Sequence, residues 1–319
     1  MDHSDHSAKA SAMRPLDWAN ALGFTVYAGS ATITPISLLV LLKELNFPIG
    51  AAGSLEIARS LLIVVALLFS GFAAARFGKA RSLSFSCAIL SAGLLCYALA
   101  PHIGVVFLAL AVAGVGGGII EGLINPLVQD QHPHHSGRYL NIVNGFWSVG
   151  VVLTMVVGGE ALTEGISWRI LMGVLAILAL VAALVYGRYA HQERQRERLD
   201  QRKVWRHIML IMRHKLFWIF WLMMVLAGGA EGALTFWGAS YIQLEFSTST
   251  RFGGIAVALF GIGMISGRFA VGIVIAQHRL YRAMLASTAL AVVAVLLLPQ
   301  APSLWTVCLV FVMAGLGLA

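Results

Sequence analysis

Charge is what this sequence has least of. Only 11% of its 319 residues are Asp, Glu, Lys or Arg, and 59% are hydrophobic, with a mean hydropathy of +0.84. Soluble domains carry roughly 25% charged residues, so a water-soluble globular protein is excluded and most of the surface must face lipid. Cysteine is also scarce: Cys87, Cys96 and Cys308 each lie inside an apolar stretch, where a thiol acts as a small hydrophobe, and no disulfide framework is implied. There is no phosphate loop, dinucleotide fingerprint or nucleophile elbow, so neither an enzyme nor a bound cofactor is expected. The polar opening MDHSDHSAKASAMRP lacks the apolar core and cleavage site of a secretory signal, which leaves the N-terminus in the cytoplasm. His3, His6 and the run His132, His134 and His135 match no compact tetrahedral spacing, so a solvated cytoplasmic loop is expected there and no metal.

What fills the chain instead is a series of apolar stretches, each near the 20 residues needed to cross a bilayer. They predict an all-α polytopic membrane protein with helices at 17–42, 53–76, 82–101, 103–128, 139–160, 168–189, 216–242, 252–276 and 283–299, and a tenth starting near Leu304. The formal charge of +8 points to membrane orientation, not nucleic acid, because the cations cluster at helix ends. Lys9, Arg14, Arg76, Lys79, Arg81, Arg138, Arg279 and Arg282 fall on one side with the long central segment; the opposite loops keep Lys43, Arg59, Arg169 and Arg251. That asymmetry predicts a multi-pass plasma-membrane protein, an inner-membrane protein if the source is bacterial, with its N-terminus inside.

Two halves flank the hydrophilic segment Arg188–Lys215, whose Trp205, Ile208, Met209, Ile211 and Met212 fit either an interfacial amphipathic helix or a solvated linker. Phe107–Gly116 aligns without gaps on Cys308–Gly317, and the same offset carries Leu16 onto Phe217. The repeat predicts a tail at 1–16, a six-helix bundle at 17–190, a linker at 191–215 and an incomplete second bundle at 216–319. On that offset a full second repeat would extend roughly 70 residues past Ala319.

These features resemble the major facilitator superfamily, and within it the group of fucose, galactose and glucose proton symporters. GFAAARFGKAR (Gly71–Arg81) is similar to the superfamily's signature loop, with Arg76, Gly78, Lys79 and Arg81 in place and Ala75 where an acid usually stands. AGVGGGIIEGLINPLV (Ala113–Val128) carries the glutamate followed four residues on by Asn-Pro, and SGRYLNIVNGFWSVG (Ser136–Gly150) and GGAEGALTFWGASY (Gly228–Tyr241) resemble the group's fifth and seventh helices. The first helix offers Tyr27, Ser30, Thr32 and Thr34 where fucose-type members have an acid, and Trp147 replaces an asparagine. The resemblance implies two parallel six-helix repeats, a monomer in the bilayer, and a small-molecule substrate with a coupling ion.

Ionised groups inside the membrane are expensive and usually have a task. Glu121 lies about 27 Å along the fourth helix at 1.5 Å per residue, too deep to snorkel, with Asn125 a turn further on the same face. Glu121 is expected to bind and release a proton, or else to serve as a neutral hydrogen-bonding group between helices. Glu231 lies among glycines in the seventh helix and is the second proton candidate. Asn125, Asn141, Asn144, Trp147, Tyr27, Thr235, Trp237 and Tyr241 are candidates for solute contact, although Trp237 and Tyr241 suit a helix interface equally well. Arg76, Gly78, Lys79, Arg81 and Arg268 fit a gate, which orientation alone would also explain for the loop residues. Together these residues predict a secondary transporter of a sugar or small polar solute, probing two alternatives: an efflux antiporter, because Gly150, Gly158 and Gly159 keep the antiporter spacing, and a non-transporting sensor or assembly partner.

Overall fold

The computed structural model describes residues 13–134, 136–192, 209–274 and 279–318, and for 138, 192, 268–274 and 280 the backbone alone. The chain forms α1 (Pro15–Glu44), α2 (Gly53–Phe77), α3 (Lys79–Ala98), α4 (Ile103–Gln131), α5 (Ser136–Thr163) and α6 (Trp168–Tyr189). After the central segment come α7 (Lys215–Glu245), α8 (Thr250–Val274), α9 (Leu280–Leu297) and α10 (Leu304–Leu318). Among the described residues nine of these helices contain stretches long and apolar enough to span a membrane, and α10 is shorter. The tail to residue 12 and the central stretch 193–208, which includes Trp205 and Ile208, lie outside the described residues, as do His3, His6 and His135.

Helix boundaries follow local chemistry. Pro15 opens α1 at a position where its missing N–H costs nothing, and Asp17 accepts a 2.7 Å hydrogen bond from the Arg14 backbone N–H. Gly78, at φ 84°, ends α2 and begins α3 in one step. The third helix therefore starts three residues before its predicted position and stops at Ala98, ahead of Pro101.

α1 is the most enclosed helix, packed against α5 and α6 of its own half and against α7. Its buried hydroxyls are satisfied locally: Ser30, Thr32 and Ser37 donate to carbonyls of the preceding turn, and Thr34 meets the Tyr97 hydroxyl at 3.2 Å. Lipid supplies little hydrophobic drive for helix association, so close packing of small residues must supply it. The α4 glycine ridge does so: a Cβ on Gly114, Gly118 or Gly122 would lie within 2.5 Å of Arg59 O, Ile63 O or Ser70 Oγ on α2. Gly116 turns the neighbouring face toward Ser86 and Leu90 of α3.

The helices alternate direction, which gives the bundle two ends. The near end holds the start of α1 and the α2–α3 and α4–α5 links; the far end holds the α1–α2, α5–α6 and α7–α8 links. At the far end Trp168 is fully buried and donates to Glu44 at 2.6 Å, while Arg169 reaches Glu44 and the Ala98 and Ala100 carbonyls. These contacts fasten α1, α3 and α6 together. At the near end the buried Asp17 carboxylate meets His132 Nε2 at 2.9 Å, and the His132 ring stacks on Tyr139 at 3.5 Å. His132 is thus a buried anchor for α1, α4 and α5, where the sequence pattern predicted a solvated loop; the ring's flat faces and its carboxylate partner remove it from water.

Candidate functional site

The two helix groups meet at the far end. A Cβ on Gly159 of α5 would sit tightly, 3.0 Å from the Thr250 carbonyl, and one on Gly254 of α8 would collide with the Met155 carbonyl at 2.2 Å. Arg251 then ties the groups by charge, donating to Glu160 at 2.6 Å and Glu164 at 3.1 Å, while its backbone N–H donates to Thr163 Oγ1 at 2.9 Å. Toward the near end the contacts thin out. A Cβ on Gly137, Gly145, Gly228, Gly229 or Gly232 would meet nothing within 4 Å. The interface is therefore sealed at the far end and parted toward the near end among the described residues.

Just inside the seal lies a cavity of about 260 Å³ bounded by α1, α2, α5, α7 and α8. Tyr27, Trp147 and Thr235 line it, as does Glu231, so four predicted residues from three helices are brought together. Trp147 packs edge-on to Tyr27 with ring centroids 4.9 Å apart, which fixes the aromatic wall. The Thr235 hydroxyl donates to the Glu231 carbonyl at 2.8 Å, satisfied within its own helix. Glu56 and Arg59 line the same cavity and were not singled out from the sequence. Arg59 was grouped with loop cations, yet it lies inside α2, 12% exposed, and grips Glu56 through Nε at 3.1 Å and Nη2 at 2.5 Å. The missed signal was the spacing: Glu56 and Arg59 are three apart, one turn of a helix, within an otherwise apolar stretch.

Glu121 sits nearer the near end, one turn beyond Gly117, whose face turns toward the Tyr27 ring. Its surface is exposed where the helix groups part. Asn125, a turn on, accepts from Asn144 Nδ2 at 3.0 Å, joining α4 to α5, and Asn141 is exposed one turn before Asn144. A polar track thus runs from Asn141 through Asn144, Asn125 and Glu121 to Tyr27 at the cavity wall. Trp237 and Tyr241 lie elsewhere: the Trp237 ring stands 3.7 Å from where a Gly53 Cβ would be, and the Tyr241 hydroxyl donates to the Leu298 carbonyl at 3.3 Å.

Of the predicted gate, Gly78 forms the α2–α3 corner and Arg76 lies over the Phe77 ring at 5.4 Å. Lys79 pairs with Asp130 and donates to the Pro126 carbonyl at 3.2 Å, so it ties α3 to the proline-bearing end of α4. Arg81 is exposed, and the Arg268 side chain lies outside the described residues. No cluster of three or more metal-ligating side chains occurs among the described residues.

Residues 20–319 match the Major Facilitator Superfamily, and the chain belongs to that family. Among curated relatives it is 31% identical over 94 residues to the efflux pump dotC of Dothistroma septosporum, covering 29% of this chain and 16% of that protein. It is 27% identical over 165 residues to the putative metabolite transport protein YwtG of Bacillus subtilis (strain 168), covering 50% of this chain and 35% of that one. The matched stretches therefore span well under two thirds of those relatives. Among solved structures the fold is similar to a nucleoside transporter, NupG (TM-score 0.73, 18% identity, 96% of this chain and 79% of that one). It is similar also to the xylose transporter XylE from E. coli in a partially occluded inward open conformation (0.71, 14%, 95% and 81%).

Proposed function

We propose that the chain is a secondary active transporter of the plasma membrane that moves a sugar or other small polar solute together with a proton, by alternating access. The observation that carries this reading is the polar cavity between two helix groups, sealed by Arg251 at one end and parted at the other. The near end is the cytoplasmic one, on the charge asymmetry of the loops, so the described state faces inward. Rocking the groups about the cavity would part α5 from α8 and close the near end. Glu121 and Glu231 carry the proton: one stands on the polar track next to the cavity and the other on the cavity wall. Tyr27, Trp147, Thr235, Asn125, Asn141 and Asn144 contact the solute along its path, with Trp237 and Tyr241 recruited only on rocking. Arg76, Gly78, Lys79, Arg81 and Arg268 brace the near-end gate. The test is uptake into proteoliposomes with and without an imposed proton gradient. Glu121→Gln and Glu231→Gln should lose gradient-driven accumulation and keep solute exchange; undiminished accumulation in both would refute the assignment.

A second reading is efflux, favoured by the likeness to an efflux pump and by the α5 glycines: Gly150 lets α5 approach the Thr25 carbonyl, and Gly159 the Thr250 carbonyl. It keeps the same cavity and reverses the direction of net flow.

A further inference from the structure

The half-buried ion pair on α2 sets a constraint on the solute. Within the Glu56–Arg59 pair the carboxylate is held by Arg59 Nε and Nη2 and by the Ser60 hydroxyl at 2.9 Å. Arg59 Nη1 has no partner among the described residues, and the side chain lines the cavity wall. A guanidinium has a second edge that presents two N–H donors in the plane that matches a carboxylate. Tyr27, Trp147, Phe236 and Phe260 share the wall with Thr32, Ser148, Thr235 and Glu231, so an ionic hydrogen bond there competes with less water than one on an open surface. A neutral ring of hydroxyls needs no full charge, and burying an arginine in the membrane for it would be costly.

We propose that the free edge of Arg59 is the docking point for the carboxylate of a small organic acid, which places this cavity's solute among carboxylates and not among neutral sugars. This rests on the transporter reading and narrows it. Glu56 holds the guanidinium in place by its other edge and keeps it from turning toward α1. The arriving anion joins Glu56 and Glu231 on the cavity wall, so one proton entering with each carboxylate leaves the charge of the cavity unchanged.

The test uses the full chain in lipid nanodiscs and measures equilibrium binding of labelled lactate, succinate, D-xylose and choline. Wild type should bind a carboxylate at millimolar concentration and neither xylose nor choline. Arg59→Gln should weaken that binding about tenfold or more, the usual consequence of losing a hydrogen bond between charged groups. Glu56→Gln should still bind the carboxylate, because the glutamine carbonyl keeps one hydrogen bond that positions Arg59 while the competing negative charge is removed. A purely structural pair gives another pattern: both variants lose thermal stability equally and neither changes ligand preference. Xylose binding that survives Arg59→Gln, or no carboxylate binding in folded wild type, overturns the proposal. Cross-linking of a Glu160→Cys, Arg251→Cys pair reports movement of the helix groups independently, so failure of alternating access is distinguishable from failure of the Arg59 assignment.

Discussion

Arg251, the second residue of α8, reaches Glu160 on α5 at 2.6 Å, and this contact joins the first six helices to the last four at the far end. All three charged partners of the clamp are substantially exposed, with Glu164 as the third, so each pair is worth little singly and the seal depends on the backbone approaches beside it. Arg251→Ala should therefore loosen the far end without unfolding the chain, raising modification of Ala31→Cys from that side by about fivefold, equivalent to about 1 kcal/mol. Unchanged reactivity would mean that the glycine contacts alone hold the seal.

The α4 glycines provide a graded test of packing. Gly118→Ala brings a methyl to 2.3 Å from the Ile63 carbonyl on α2, an overpacking cost of about 1–3 kcal/mol. Gly173→Ala, which meets nothing within 4 Å, is the control. Thermal melts in detergent should separate the two variants; equal melting would show that α2 and α4 part easily.

Trp168 anchors three helices through one buried ring and one indole N–H. Trp168→Ala should cost about 3–5 kcal/mol, and Glu44→Leu less, since Arg169 would keep its two carbonyl partners. The ordering is read from melting midpoints of the purified variants, and a larger loss for Glu44→Leu would contradict it.

The near-end anchor behaves differently. His132→Ala strands a buried carboxylate and should cost about 1–3 kcal/mol, whereas Asp17→Asn keeps the geometry for a neutral hydrogen bond and should cost less. Detergent melts of both check the order.

Helix number and approximate extent were legible because each lipid-facing stretch must be apolar over a fixed length. Contacts that depend on where two distant segments meet were not legible. Nothing local to His132 reveals Asp17, 115 residues earlier in the chain, or the Tyr139 ring that covers it. Asn144 was expected to face solute, and its bond to Asn125 emerged only when α4 and α5 were set side by side. The cavity was half legible: Glu231 and Thr235 were named from residue type and depth, and Tyr27 and Trp147 through the family resemblance. Arg59 was lost because a cation near a helix start reads as a loop charge until its carboxylate partner one turn away is noticed.

The central claim is that the cavity opens alternately to the two sides of the membrane, and labelling of Ala31→Cys tests it without knowledge of the solute. Ala31 lines the cavity inside the Arg251 seal. In oriented membrane vesicles an impermeant thiol reagent should reach it quickly from the cytoplasmic side and slowly from the other. A disulfide between Glu160→Cys and Arg251→Cys should abolish only the slow reaction. Equal rates from both sides that the disulfide leaves untouched, or no reaction from either, would contradict alternating access.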